Sequence, residues 1–301
     1  MESFYLILSY IIIGLVLRRV PSMPENTSLA LNAYVLNVAL PALILKNMPL
    51  LDFSSALIIP AITPWCLLII VVLFVLFLAK LCNWSREVTG ALLIILPLGN
   101  TSFLGFPMTE ALFGPAGMPY AVVYDQLGSF IALAAYAIIV AAIYSPLVET
   151  PTLRSVLIKI LTFPSFLALI LGLSMRGLSM PAFADTLIDG LAQTLVPVVM
   201  VAVGFQLRFR FHRAEMFPMA TALGIKLILM PALAWLIWQA LGQDGIAVDI
   251  SVFQAAMPPM ISAGAIAIMA GLAPRLVSGI VGFGVLLALI SLPIVAWLLA
   301  L

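Results

Sequence analysis

Several stretches of this chain carry no charge for longer than a soluble helix requires, such as Leu57–Ala79, 23 residues, and Val277–Leu301, 25 residues. As helices, each is long enough to cross the ~30 Å hydrocarbon core of a bilayer. Over all 301 residues, 64% are hydrophobic, 8% are charged and the mean hydropathy is +1.26, well beyond a soluble domain. Barrel strands alternate apolar and polar residues and leave no such continuous runs, so the sequence predicts an all-α integral membrane protein.

Breaking the apolar runs at charges and Pro/Gly clusters gives ten transmembrane helices, at roughly 3–17, 29–46, 56–79, 88–113, 118–145, 155–175, 182–207, 215–241, 248–271 and 276–300. With the N-terminus outside, the inner loops hold Arg18, Arg19, Lys80, Arg86, Arg154, Lys159, Arg208, Arg210, Arg213 and Arg275, against Lys46 and Arg176 outside. This asymmetry places both termini on the outer side of the cell membrane. Arg18 and Arg19 follow the first apolar run instead of preceding it, so that run reads as a retained helix and not a cleaved signal. The net charge of +1, with basic residues scattered in short loops, gives no case for nucleic acid. Cys66 and Cys82 have no CxxC or His neighbour and read as apolar fillers, with no metal or disulfide implied.

The chain repeats itself. Gly14–Pro24, GLVLRRVPSMP, matches Gly172–Pro181, GLSMRGLSMP, at an offset of 158 that falls to 157. Asn37–Pro41 matches Gln193–Pro197 at 156, Pro60 matches Pro218 at 158, and aligning Pro97 with Pro258 needs 161. Each half, 1–145 and 155–301 around the linker 146–154, holds five spans. An odd number makes the second half enter from the opposite side, so the sequence predicts a 5+5 inverted repeat, the architecture of secondary transporters.

Spans 4 and 9 are predicted to be broken. Span 4 contains LPLGNTSFLGFP at Leu96–Pro107 and span 9 contains MPPMISAG at Met257–Gly264. The prolines remove backbone donors, and Gly99 and Gly105 weaken the helix. Both breaks fall about 15 to 18 Å into their spans, near mid-bilayer, where irregular backbone survives only if protein or a water-filled cavity satisfies it. The second half-helices then start near Thr101–Ser102 and Ser262–Gly264, and two helix N-termini suit a carboxylate. The substrate-binding expectation is Gly99, Asn100, Thr101, Ser102, Pro258, Pro259 and Ser262. Asn37 and Gln193, each four residues before a proline, either line the facing side of the cavity or hydrogen-bond between helices.

Asp125, in YAVVYDQLGSF, and Lys226, in ALGIKLILMPALAW, are ionisable residues inside spans, each costing about 2.5–3.5 kcal/mol at a helix centre. Lys226 lies thirteen residues, about 20 Å, from Arg213, too far to snorkel. Two readings stand: Asp125 and Lys226 couple transport to H⁺ (or Na⁺), with Gln126 in the same network, or they form a permanent ion pair. Glu110 lies near the outer end of span 4 and reads as solvated.

Leu96–Phe130 resembles the signature region of bacterial members of the auxin efflux carrier family, relatives of the plant PIN proteins, and Met257–Ala270 resembles its second crossover. The resemblance covers essentially the whole chain. It implies a scaffold of spans 1, 2, 6 and 7, a moving bundle of spans 3–5 and 8–10, an elevator-like cycle, dimerisation through the scaffold, and small organic anions as substrates, indole-3-acetate in plants and malate or malonate in some bacteria. The long inner loop of the plant proteins is replaced here by ten residues. The Asp125/Lys226 arrangement is similar to the sodium/proton-antiporter fold, which with the bile-acid-symporter fold gives the fold class expected here.

An enzyme is disfavoured. Tyr124–Asp125 with Gly282–Phe283–Gly284 is similar to the paired motifs of intramembrane aspartyl proteases, but the second carboxylate would have to be Val285. The single His212 sits in the basic loop Arg208–Arg213, and no HExxH or Walker A motif occurs. The expectation is a secondary carrier for a small organic carboxylate, without a resident cofactor; an anion channel or a receptor using the same midplane site is the alternative.

Overall fold

The computed structural model describes residues 2–51, 54–178, 180–207 and 215–301; Arg208, Arg210, His212 and Arg213 lie outside them. Every regular element among the described residues is helical, and the only extended pairing is an isolated bridge between Gly99 and Pro259. Counting 3₁₀ and π turns as part of a helical stretch, the segments are α1 (Glu2–Leu17), α2 (Thr27–Asn47), α3 (Ser55–Leu81), α4 (Arg86–Ile95), α5 (Phe106–Phe113), α6 (Pro115–Tyr144), α7 (Leu153–Leu161), α8 (Pro164–Ser174), α9 (Ala182–Gln206), α10 (Met216–Ala240), α11 (Ile246–Ala255), α12 (Ile261–Met269) and α13 (Pro274–Leu299).

Among the described residues, six segments are long and apolar enough to cross a membrane: α2, α3, α6, α9, α10 and α13. A seventh arises if α7 and α8 form one span, although they are bent by 59°. The sequence reads 155–175 as one helix; the bend has a local cause in Pro164. Its ring disfavours helical backbone at the preceding residue, and Phe163 is extended (φ −71°, ψ 128°). Pro293, deep in α13, interrupts nothing, since the helix runs on to Leu299.

The chain divides into two compact units. The first comprises Met1–Ser54, Ser102–Val122 and Ile158–Leu207. It is built on close backbone contacts. A Cβ at Gly204 of α9 would overlap the carbonyl oxygen of Ile11 in α1, and one at Gly14 of α1 would overlap that of Val201. Without a hydrophobic force between helices in lipid, such small-residue faces let the backbones meet and gain dispersion contact. Gly172 of α8 lies close to the end of α2, where an added Cβ would come 3.6 Å from the Ile44 carbonyl oxygen and 2.9 Å from the Cβ of Met48, the residue that follows α2. Tyr34 and Thr194 share a hydroxyl hydrogen bond of 2.9 Å, and Lys46 pairs with Asp189 at 2.8 Å. The pair is about 40% exposed (41% and 42%), so it contributes little stability.

The second unit comprises Ser55–Thr101, Val123–Leu157 and Arg208–Leu301. Here α3 lies against α6 and α10: Trp238 Nε1 donates to Thr63 Oγ1 at 2.8 Å, and Trp65 Nε1 to the Leu127 carbonyl at 3.0 Å. Ser85 caps α4 by accepting from Val88 N at 3.3 Å. Arg86 then donates to the carbonyls of Ile143 and Tyr144 at the end of α6 and lies over the Tyr144 ring. These contacts fix the entry angle of α4, whose far end leads into the break.

Candidate functional site

The α4 helix stops at Ile95 because Pro97 offers no N–H to continue it, and residues 96–100 run non-helically. The α11 helix stops at Ala255 for the same reason at Pro258 and Pro259. The two breaks satisfy each other. Gly99 and Pro259 form an antiparallel bridge, Asn100 N donates to Pro258 O at 2.8 Å, and Met260 N donates to Leu98 O at 2.9 Å. This reciprocal pairing is what lets irregular backbone lie fully buried.

Gly99 is required by crowding. A Cβ there would sit 3.2 Å from Lys226 Nζ and 3.3 Å from Met257 Cβ, with the Gln254 carbonyl oxygen at 3.6 Å. Lys226 therefore reaches the crossover itself. It is 1% exposed, and its ammonium donates to Met230 Sδ at 3.4 Å, a weak acceptor one turn along its own helix.

Past the bridge the chain resumes with a π turn at Thr101–Gly105. Thr101 Oγ1 donates to Asp125 Oδ1 at 2.5 Å, and Gln126 Nε2 donates to Asp125 Oδ2 at 2.8 Å. The short Thr101 bond is typical of a hydroxyl donating to a carboxylate. Asn100, Thr101, Asp125 and Gln126 are all buried, yet Asn100 Nδ2 and Gln126 Oε1 have no hydrogen-bond partner among the described residues.

The structure brings together Gly99, Asn100, Thr101, Pro258, Pro259, Asp125, Gln126 and Lys226, all in the second unit. Ser262 is half-buried in the first turn of α12, and Ser102 is half-buried in the π turn. Asn37 and Gln193 belong to the first unit. Asn37 is exposed and donates to Ala33 O at 2.7 Å within its own helix. Gln193 lines a cavity of about 380 Å³ inside that unit, with Tyr10, Lys46, Asn47 and Glu110 among its polar walls.

Sequence reasoning missed the partner of Lys226, Met230, and the neighbour of Gly99, Met257, which carry no polar signal. It also missed Gln254, fully buried beside Gly99, whose carbonyl accepts from Met257 N at 3.2 Å. A signal for Gln254 existed: it stands four residues before Pro258, the spacing of Asn37 to Pro41 and Gln193 to Pro197. The π turns were equally unforeseen. They run Val35–Ala39, Thr101–Gly105, Asp125–Ser129, Leu133–Ala137 and Ile225–Leu229, and four of the five contain a residue singled out by its polarity: Asn37, Thr101, Asp125 or Lys226.

The whole chain is similar to known transporters. The family model described as membrane transport protein matches residues 1–296. An uncharacterized transporter of Methanothermobacter thermautotrophicus is 27% identical over 300 residues, covering 97% of this chain and 96% of the relative. An uncharacterized transporter of Methanocaldococcus jannaschii is 23% identical over 267 residues, 86% of this chain and 85% of the relative. The chain belongs to the membrane transport protein family, that of the auxin efflux carriers.

Proposed function

We propose that the protein is a secondary active carrier of elevator type that moves a small organic carboxylate across the cell membrane, with its site at the crossing of two broken helices. The observation that carries this reading is the reciprocal pairing of Leu98–Asn100 with Pro258–Met260, flanked by the buried Asn100 side-chain Nδ2, which has no partner among the described residues. The first-turn N–H groups of α12 and the Asn100 amide present donors and partial positive charge in a dry setting, which suits a carboxylate.

In this reading α1, α2, α3, α4 with α5, and α6 are the five spans of one repeat; α7 with α8, α9, α10, α11 with α12, and α13 are those of the other. The close approaches support it. Gly14 and Gly172 are equivalent in the repeat, and Gly14 brings α1 onto α9 while Gly172 brings α8 onto α2. Those are the same contact with the halves exchanged, as a pseudo-twofold relation requires. The two compact units bear on the scaffold and bundle as well. α1, α2, α8 and α9 fall in the first, and α3, α4, α10 to α13 and most of α6 in the second, while α5 falls in the first. Both termini face outward, the scaffold helices pair two copies, and Asp125 with Lys226 couples movement to a proton.

The test is a thermal-shift screen of small mono- and dicarboxylates on purified protein, repeated with Asn100→Ala. Carboxylates should stabilise the native protein, with apparent affinity reduced about tenfold or more in the variant, the cost of losing one buried donor. An unchanged ligand response in Asn100→Ala would remove the crossover from the site.

A further inference from the structure

The charge pattern of the chain changes at the bend before Pro164. α8 has no charged residue in eleven, whereas α7, LRSVLIKIL, has two cations in nine, Arg154 and Lys159. Thr152 starts α7, its hydroxyl oxygen accepting from Ser155 N at 3.2 Å. At the helical period Leu153, Val156, Leu157, Ile160 and Leu161 share one face, and Ser155 and Lys159 take the opposite one. Arg154 emerges at the edge of the apolar face, between Leu161 and Ile158. Little protein covers that face. Ile160 is the one buried residue of α7, while Leu153, Leu157, Ile158 and Leu161 are 76%, 47%, 50% and 52% exposed. The chain passes from the second unit to the first within this helix, between Leu157 and Ile158, so neither unit contains the whole of it. Arg154 and Lys159 are both exposed, and among the described residues neither side chain has an ion-pair or hydrogen-bond partner.

We propose that α7 is an interfacial helix that binds anionic phospholipid, with Leu153, Leu157 and Leu161 set into the acyl chains and Arg154 and Lys159 on the headgroup phosphates. The apolar face by itself would suit lipid tails or a second copy of this chain; the two free cations beside it select the headgroup boundary. The bend fits that depth. With α8 along the membrane normal, an unbent α7 would set the two cations about 7 Å apart in depth. The 59° bend cuts that separation to about half, so both reach one layer of phosphates, Arg154 by snorkelling from the edge of the apolar face. The asymmetry of basic residues puts this layer in the inner leaflet, whose surface is negative. The inference rests on membrane residence and not on the reading of the crossover as a substrate site.

Two measurements on the full-length protein test it. In vesicles of phosphatidylcholine and phosphatidylglycerol, nitroxide labels are placed singly through Leu157→Cys and Ser155→Cys in a Cys66→Ser, Cys82→Ser background. Collisions with oxygen, relative to a water-soluble nickel chelate, should be at least about threefold more frequent at 157 than at 155. Equal ratios would overturn the proposal; so would a label at 157 shielded from both reagents, the mark of a second copy or another protein on that face. In the second measurement phosphatidylglycerol is titrated into the detergent-solubilised protein and the unfolding midpoint is followed. It should stabilise where phosphatidylcholine does not. Arg154→Gln with Lys159→Gln should weaken its apparent affinity about tenfold or more, while the charge-matched pair Lys80→Gln with Arg275→Gln stays within about threefold of the unaltered protein. The same weakening in both pairs, no preference for phosphatidylglycerol, or equal stabilisation by glycerol 1-phosphate would each overturn it. The comparison of the two lipids uses the unaltered protein, so it decides the matter even if a variant does not fold.

Discussion

Thr101 links the crossover to the charge buried behind it. Its backbone follows the Gly99–Pro259 bridge directly, and its hydroxyl holds Asp125 Oδ1 at 2.5 Å. Thr101→Val keeps the branched shape and removes that bond, leaving a fully buried carboxylate one donor short. It should lower stability by about 1–3 kcal/mol, read as a fall in the unfolding midpoint of the purified protein, with Thr101→Ser recovering most of it. An unchanged midpoint would mean the bond contributes nothing. Asp125→Asn tests a different property of the same chain. If this carboxylate carries the coupling proton, the variant's uptake in proteoliposomes loses its dependence on pH; uptake with rate and pH profile unchanged would assign Asp125 a purely structural part. That Asp125 and Lys226 needed an explanation was legible in the sequence, because a charge inside an apolar run is costly wherever it falls. What the charges touch was not. Lys226 spends its ammonium on the thioether of Met230, and no pattern of apolar residues announces that a methionine is an acceptor.

At the scale of elements, the breaks were legible and their pairing was not. Pro97, Pro258 and Pro259 remove donors by covalent structure; a single proline such as Pro293 need not stop a helix, but Pro97 with Gly99 and the Pro258–Pro259 pair, at matching places in the two halves, favour a break over a kink. The bonds that make the breaks tolerable join residues about 160 apart in the chain, Asn100 to Pro258 and Met260 to Leu98, and only the fold supplies them. The bend between α7 and α8 was missed for a related reason, since the uninterrupted hydropathy of that run hides the effect of Pro164 on Phe163. Helix contacts give the sharpest test at this scale, because two glycines of α9 sit in opposite surroundings. At Gly204 a methyl group would overlap the Ile11 carbonyl oxygen, a backbone atom that cannot swing aside; at Gly190 nothing lies within 4 Å. Gly204→Ala should therefore destabilise by about 1–3 kcal/mol through overpacking. Gly190→Ala should be neutral or stabilise by up to about 0.5–1 kcal/mol, since alanine loses less conformational freedom in a helix. Unfolding midpoints of the two variants check the contrast, and equal effects would contradict the close approach of α1 and α9.

For the molecule as a whole, membrane residence follows from composition and run length alone, and the family from the agreement of nearly the entire chain with a membrane transport protein pattern. Six or seven segments reach spanning length as continuous helices. The remainder of a ten-span reading consists of helices that are short or interrupted, and these include the two that meet at the crossover. In the proposed reading the least regular backbone lies where the cargo binds, because there the unpaired donors of broken helices are useful. A carrier and a channel could share such a site and differ only in whether the loaded site must cross before it can unload. Solute counterflow separates them. Proteoliposomes loaded with an unlabelled carboxylate from the binding screen are diluted into a trace of the same compound, labelled. The account predicts saturable uptake with a transient overshoot of label above equilibrium, lost or reduced about tenfold in Asn100→Ala; flux that rises linearly with concentration, without overshoot and indifferent to Asn100, would contradict it.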